Sequence, residues 1–176
     1  ARVHRTRPGY GYVGVRDDWQ DQLAPNEDGI TFLDLATGEH SLIVSLAQVA
    51  GIATEASMEN AAHWVNHLQF NPTGDRFAFL HRWGKGEDRT TRLFTARPDG
   101  TDLNLVEREG MVSHYDWMDA RHILAWSRHR GEDHYHLYTD QSNEVQTLGA
   151  DVLLEDGHCS YSRDRNWILT DTYPDA

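Results

Sequence analysis

Short segments in which apolar and polar positions alternate recur along the chain, as expected of half-buried β-strands. Three of them begin with a small or polar residue followed by histidine, and these are Asn66–Phe70, Ser113–Trp117 and Gly157–Tyr161. Each is followed by a turn-forming sequence and a second apolar segment, and these second segments are Phe77–Leu80, Ile123–Trp126 and Trp167–Thr170. The pattern predicts an all-β chain built from a repeated strand–turn–strand unit.

The repeat has a regular period. His67, His114 and His158 occupy the same position of the three units and are 47 and 44 residues apart. Two of the units continue into a third apolar segment, Leu93–Thr95 or Leu137–Thr139, and then through a turn into a fourth. Four short antiparallel strands in a unit of about 45 residues are typical of a β-propeller blade.

In this interpretation residues 1–176 form one domain. It contains a partial blade over 10–46, complete blades over 64–107 and 112–148, and a partial blade over 157–173. Propellers close with roughly four to eight blades, so we expect a partial propeller that belongs to a larger one. Residues 47–62 interrupt the pattern with an Ala-rich stretch that favours a short helix, which either packs beneath a loop or covers a site.

Composition narrows the classes of function. The net charge of −12 is the opposite of the basic surface that nucleic-acid binding requires. No apolar run reaches the about 18 residues of a transmembrane helix, so we expect neither nucleic acid nor membrane as a partner. The single cysteine, Cys159, excludes an internal disulfide framework and lies on the apolar side of its predicted strand, as a small buried hydrophobic residue does.

Strand direction places the candidate functional residues. In a propeller the start of the first strand and the end of the second strand of a blade lie on the same face. His67, His114 and His158 begin first strands, whereas His81 and Arg128 lie near the ends of second strands. We therefore expect His67, His81 and Arg128 to lie on one face, within reach of a shared ligand.

Alternation along the first strand assigns each side chain to a side. His67 shares a side with Gln69, whereas Leu68 and Phe70 take the apolar side. Converging imidazoles near neutral pH suit acid–base catalysis or a divalent metal. The alternative is that each histidine forms a hydrogen bond that ties one blade to the next.

Four segments carry a further likeness, and these are Arg7–Tyr12, Asn66–Pro72, Phe79–Trp83 and Asp156–Ser162. They resemble the propeller polysaccharide lyases, above all the seven-bladed ulvan lyases and the oligogalacturonate lyases. The resemblance runs along nearly all of the chain and would cover only part of such an enzyme. It implies a seven-bladed parent, an anionic poly- or oligosaccharide substrate that contains uronate, and cleavage by β-elimination.

The resemblance also implies catalytic residues. Lyases of this type use histidine as base or acid, arginine against the uronate carboxylate and tyrosine as proton donor. By residue type and predicted face, His67, His81 and Arg128 match this pattern. Tyr173 is the candidate tyrosine, with Tyr115 as the alternative.

Binding residues follow from the same resemblance. We expect His63 and Arg82 to bind substrate. The oligogalacturonate lyases hold a divalent metal through several histidines and a glutamine, so His114 and His158 are candidate ligands for Mn²⁺, Ca²⁺ or Zn²⁺. A lyase of this kind favours a periplasmic or secreted location, with the cytoplasm as the alternative.

The chemistry of β-elimination requires these residue types. The C5 proton of a uronate can be removed only when its carboxylate is neutralised, by a bidentate arginine or a metal, and a neutral imidazole then takes the proton. Two other classes stay open. One is a non-catalytic propeller that binds protein or glycan, and the other is a glycoside hydrolase with Asp116 and Asp171 as its carboxylates.

Overall fold

The computed structural model of the protein describes residues 14–172. Its strands are β1 (Gly29–Leu33), β2 (His40–Ser45), β3 (His63–Phe70), β4 (Phe77–Trp83), β5 (Thr90–Ala96), β6 (Asn104–Glu107), β7 (Val112–Trp117), β8 (His122–His129), β9 (Glu132–Thr139), β10 (Val145–Leu148), β11 (Ser160–Tyr161) and β12 (Ile168–Leu169). Within the described residues, the α-helix α1 (Leu46–Ala50) follows β2, and short 3₁₀ turns lie at Ala56–Met58 and Gly86–Asp88.

The strands form four antiparallel sheets in chain order. We number them sheet 1 (β1–β2), sheet 2 (β3–β6), sheet 3 (β7–β10) and sheet 4 (β11–β12). Each strand pairs with its neighbour in sequence, because short turns can join antiparallel strands directly. The predicted all-β class and the two four-stranded antiparallel sheets are confirmed.

The structure corrects details of the predicted first unit. Of the partial blade predicted over 10–46, residues 10–13 lie outside the described residues, and Gly14 and Val15 are not in a strand. Leu46, the last residue of that predicted partial blade, does not extend β2 but begins α1. The cause is a capping box, in which Ser45 Oγ accepts from the Gln48 N–H and the Gln48 side chain accepts from the Ser45 N–H.

The core lies between successive sheets. Central strands β4 and β8 are almost fully buried, and alternate residues of each strand face different neighbours. On β4, Phe77 and Phe79 pack toward sheet 1, whereas Ala78 and Leu80 pack toward sheet 3. Because a central strand carries apolar residues on both sides, its sheet packs face to face with the sheets on either side.

The insertion over 47–62 contains the predicted short helix, and it packs against the core. Val49 is fully buried in the cluster between sheets 1 and 2. Arg92 of β5, also fully buried, donates to the carbonyl groups of Ile52 and Ala53 at 3.0 and 2.9 Å. Of the two interpretations left open by the sequence, these contacts favour packing. No helix in the described range 14–172 is long and apolar enough to cross a membrane.

Candidate functional site

The first strands of sheets 2 and 3 each lie at a sheet edge and carry a β-bulge at the repeated histidine. In β3, His67 and Leu68 together lie opposite Phe79, and His67 has a left-handed backbone with φ of 52°. In β7, Ser113 and His114 lie opposite Trp126. A bulge places two residues opposite one and redirects their side chains. The alternation predicted through His67 is interrupted, and Leu68 and Phe70 are half exposed.

The repeated histidines converge. The ring centroids of His67 and His114 are 6.3 Å apart, and those of His114 and His158 are 4.1 Å apart. Together with Gln69 and Tyr115 they line a pocket of about 320 Å³, which we call the histidine pocket. The structure therefore brings together three residues that are far apart in sequence.

Carboxylates orient two of these rings. Nδ1 of His114 lies 3.2 Å from Asp156 Oδ1, and Nδ1 of His158 lies 3.0 Å from Asp171 Oδ2. Because the His158 backbone N–H and ring bond to Asp171, the pKa of that carboxyl is below its usual value. An ionised carboxylate can only accept, so Nδ1 carries the hydrogen and Nε2 carries the lone pair in the neutral ring. This tautomer is the one that acts as a base or ligand through Nε2.

The other polar groups of the histidine pocket connect neighbouring sheets. Gln69 Nε2 donates to Asp116 Oδ1 at 2.7 Å, and Asp116 also accepts from the Tyr161 N–H. The Tyr115 hydroxyl donates to the carbonyl groups of His67 and Ala78. Burial raises the pKa of Tyr115, so the hydroxyl keeps its proton and serves as a tie between sheets 2 and 3.

Cys159 lines the same pocket, but its thiol is not reactive there. Cys159 is buried in the apolar cluster between sheets 3 and 4. Burial, with the negative charges of Asp116 and Asp156, raises the pKa of its thiol to about 12. The thiolate, which is the nucleophile, does not form near neutral pH, and the predicted role of a small buried hydrophobic residue is confirmed.

His81 lies in the interior rather than on an open face. It is fully buried, with Nε2 at 2.9 Å from His63 Nδ1 and Nδ1 at 3.2 Å from Arg92 Nη2. Burial, and then the charges of His63 and Arg92, lower its pKa to about 2. A base with so low a pKa takes up little proton at neutral pH. His63, expected to bind substrate, is likewise buried.

The two candidate arginines also differ from expectation. Arg128 donates through Nε and Nη2 to both carboxylate oxygens of Asp133, each at 2.7 Å, and this bond raises its pKa. Arg82, the second candidate for substrate binding, is buried, and its positive charge lies near the Tyr115 hydroxyl. The fourth candidate catalytic residue, Tyr173, lies outside the described residues.

The structure does not bring His81 and Arg128 to the histidine pocket, and strand alternation explains why. On β4, His81 follows Phe77 and Phe79 at intervals of two and so faces sheet 1. On β8, Arg128 follows Leu124 and Trp126 at the same interval and so faces the side of sheet 4. The two residues therefore point away from each other. Their catalytic roles stay predictions that this arrangement does not favour.

A second cluster of polar side chains was not predicted from the sequence. Among residues 14–172, one group of three metal-ligating side chains has ligand atoms all within 4.8 Å of one another, and it consists of Glu107, Glu109 and His129. His114 and His158, the predicted ligands, are not in such a group. Its signal in the sequence is the His-rich hairpin of β8 and β9 together with the Glu-x-Glu sequence at 107–109. Neither lies at the repeated histidine position, so the repeat did not indicate them.

No family model matches the chain, and no solved structure matches it significantly. The function is therefore argued from the histidine pocket itself.

Proposed function

We propose that the chain is part of a β-propeller that cleaves uronate-containing poly- or oligosaccharides by β-elimination in the histidine pocket. The observation that carries the proposal is the convergence of His67, His114 and His158, with Gln69, in one pocket at the edges of successive sheets. It rests on residues that the repeat places at equivalent positions, and it agrees by residue type with the lyases that the sequence resembles.

Two features support the propeller. Sheets 2 and 3 are four-stranded meanders that pack face to face with their first strands at an edge, as successive blades do. Sheet 4 presents a largely apolar outer face, where Trp167 and Leu169 are 72% and 74% exposed while Ile168 packs on sheet 3. Apolar surface of this kind is normally covered, and a further blade would cover it.

The pocket supplies the groups that elimination needs. His67 is exposed at the pocket, and a neutral imidazole there takes the C5 proton. His158, more than half exposed and oriented by Asp171, is placed to protonate the leaving glycosidic oxygen. The two steps use different histidines: the base starts as a neutral imidazole, and the acid starts as an imidazolium that carries a proton on Nε2.

Neutralisation of the substrate carboxylate is the third requirement. Arg128 is held by Asp133, so a substrate carboxylate would have to displace Asp133 to bind it. With His158 as the proton donor, His114 and Gln69 are the pocket donors that fit a divalent metal by type, and imidazole suits Zn²⁺ better than Ca²⁺. A metal bound there would supply Lewis-acid stabilisation of the carboxylate.

The test is an elimination assay on the complete encoded protein, because the channel of a propeller needs further blades to close. The substrates are ulvan and pectic fragments, and the signal is the ultraviolet absorbance of the unsaturated uronate product. We expect His67→Ala and His158→Ala to lower kcat by roughly 10²–10⁴-fold. His122→Ala, which removes a surface histidine paired with Asp119, is the matched control and should retain activity.

A non-catalytic binding module is the second candidate. The observation that favours it is that His81 and Arg128, two of the expected catalytic residues, are engaged by Arg92 and Asp133. Binding of uronate polymers by a folded protein, with no unsaturated product from any of them, would decide for this candidate and against the lyase.

A further inference from the structure

The cluster of Glu107, Glu109 and His129 lies where sheets 2 and 3 meet, beyond the end of outer strand β6 and at the end of β8. Its three ligand atoms lie within 4.8 Å of one another. We propose that this cluster binds one Zn²⁺ ion, at a site separate from the histidine pocket. The proposal does not depend on the lyase activity.

Glu107 is held in place by neighbouring groups. Its side chain is 4% exposed, and Oε2 accepts from the Tyr138 hydroxyl at 2.9 Å and contacts His129 Nδ1 at 2.8 Å. Oε1 accepts from the backbone N–H of Arg108 and Glu109. A ligand whose position is fixed before the metal arrives loses little conformational entropy on binding.

Glu109 is exposed but equally well oriented. Its two oxygens accept from the backbone N–H groups of Arg130 and Gly131 at 2.7 and 2.9 Å, which lowers the pKa of the carboxyl. Each oxygen keeps a second lone pair for a cation. Because Glu109 is at the surface, an ion can enter from solvent and retain water as a further ligand.

His129 completes the set. The 2.8 Å between its Nδ1 and Glu107 Oε2 is close to the about 3 Å that separates two ligands of one tetrahedral zinc ion. A proton holds these atoms together in the metal-free protein. Binding of Zn²⁺ at Nδ1 requires the neutral ring to carry its hydrogen on Nε2, so the hydrogen exchanges from Nδ1 to Nε2 through solvent with no net proton release.

Charge supports a divalent cation. Two carboxylates and a neutral imidazole carry a charge of −2, which one Zn²⁺ ion balances, and mixed oxygen and nitrogen donors suit this ion. The guanidinium of Arg128, which could compete for the glutamates, is instead bonded to Asp133.

The test is calorimetric titration of the full chain with zinc chloride at neutral pH. We expect a Zn²⁺ equivalent, distinct from any bound in the histidine pocket, that is lost, or weakened at least about tenfold, in Glu109→Gln and in His129→Gln. His158→Ala is the control that separates this site from the histidine pocket, and it should keep the equivalent.

Circular dichroism identifies a variant that fails to fold. Glu109 is exposed and Gln retains an oxygen acceptor, so we expect Glu109→Gln to fold. No zinc binding by the unsubstituted chain would overturn the proposal. Equal zinc binding by folded Glu109→Gln and the unsubstituted chain would overturn it as well, as would the loss of every zinc equivalent in His158→Ala.

Discussion

At the scale of the residue, the histidines of this protein lie in three different chemical environments. His67 and His158 are exposed and line a pocket, His129 is paired with a buried glutamate, and His81 is fully buried beside Arg92. Residue type alone does not separate these roles. The separation comes from solvent access and from the neighbouring charge.

The buried histidine predicts a dependence of stability on pH. The pKa of His81 falls from 6.5 to about 2 on folding, so below pH 6.5 the unfolded chain binds a proton that the folded chain does not. Stability is therefore lost as the pH falls from 6.5 toward 2. When the pH is lowered from 7.5 to 5, the free energy of unfolding measured with urea should fall by about 2 kcal/mol more for the unsubstituted chain than for His81→Gln.

The control for this measurement is His40→Gln, which removes an exposed histidine of β2. It should keep the pH dependence of the unsubstituted chain. An unchanged dependence in His81→Gln would mean that His81 is not the group that titrates.

At the scale of the element, the sequence predicts strand identity and spacing better than side-chain direction. The period of the repeat predicted four-stranded units and the equivalence of His67, His114 and His158, because turn spacing is a local property of the sequence. The bulges at His67 and His114 have no such marker and shift alternation by one residue. The spacing of Phe77, Phe79 and His81 did contain the signal that His81 faces the core.

The insertion between sheets 1 and 2 depends on one buried cation. Besides the carbonyl groups of Ile52 and Ala53, Arg92 contacts the rings of Trp83 and Phe94, whose centroids lie 4.9 and 5.3 Å from its guanidinium carbon. A planar fork can satisfy several acceptors that a single ammonium group cannot. The insertion is therefore held by side-chain bonds rather than by the five-residue helix alone.

We predict that Arg92→Lys destabilises the fold by about 2–3 kcal/mol, since hydrogen bonds to a charged group are lost in the interior. It should also speed proteolysis within residues 51–62. Urea unfolding and limited proteolysis measure the two effects. The control is Arg97→Lys, because the Arg97 side chain is exposed and paired with Asp102. It should alter the free energy of unfolding by less than about 0.5 kcal/mol.

An unfolding midpoint for Arg92→Lys equal to that of the unsubstituted chain would show that the carbonyl contacts do not stabilise the insertion. If Arg97→Lys also speeds proteolysis, the effect comes from the loss of any arginine rather than from the loss of Arg92.

At the scale of the whole molecule, the sheets are stacked and the stack has open faces. Each interior junction buries an apolar cluster, whereas the outer side of sheet 4 leaves Trp167 and Leu169 exposed. Exposed strands with large apolar residues readily associate with other chains. The same surface that would join a further blade can therefore join a second copy of the chain.

We predict that the 176-residue chain self-associates at high concentration and that the pair Trp167→Glu and Leu169→Glu reduces this association. Sedimentation velocity over a concentration series measures it. Val152→Glu, which replaces an apolar residue exposed by 77% outside the strands, is the control and should leave association unchanged. A concentration-independent monomer in the unsubstituted chain would contradict the prediction.

Sheets 2 and 3 each come from one uninterrupted stretch of chain, and this has a consequence for how such a protein can evolve. Copying about 45 codons in tandem would add a layer without rethreading any existing strand. The copy would carry a histidine on its first strand to the same edge. A polar site at that edge is thus inherited with every added layer, and later substitutions need only change the role of each copy.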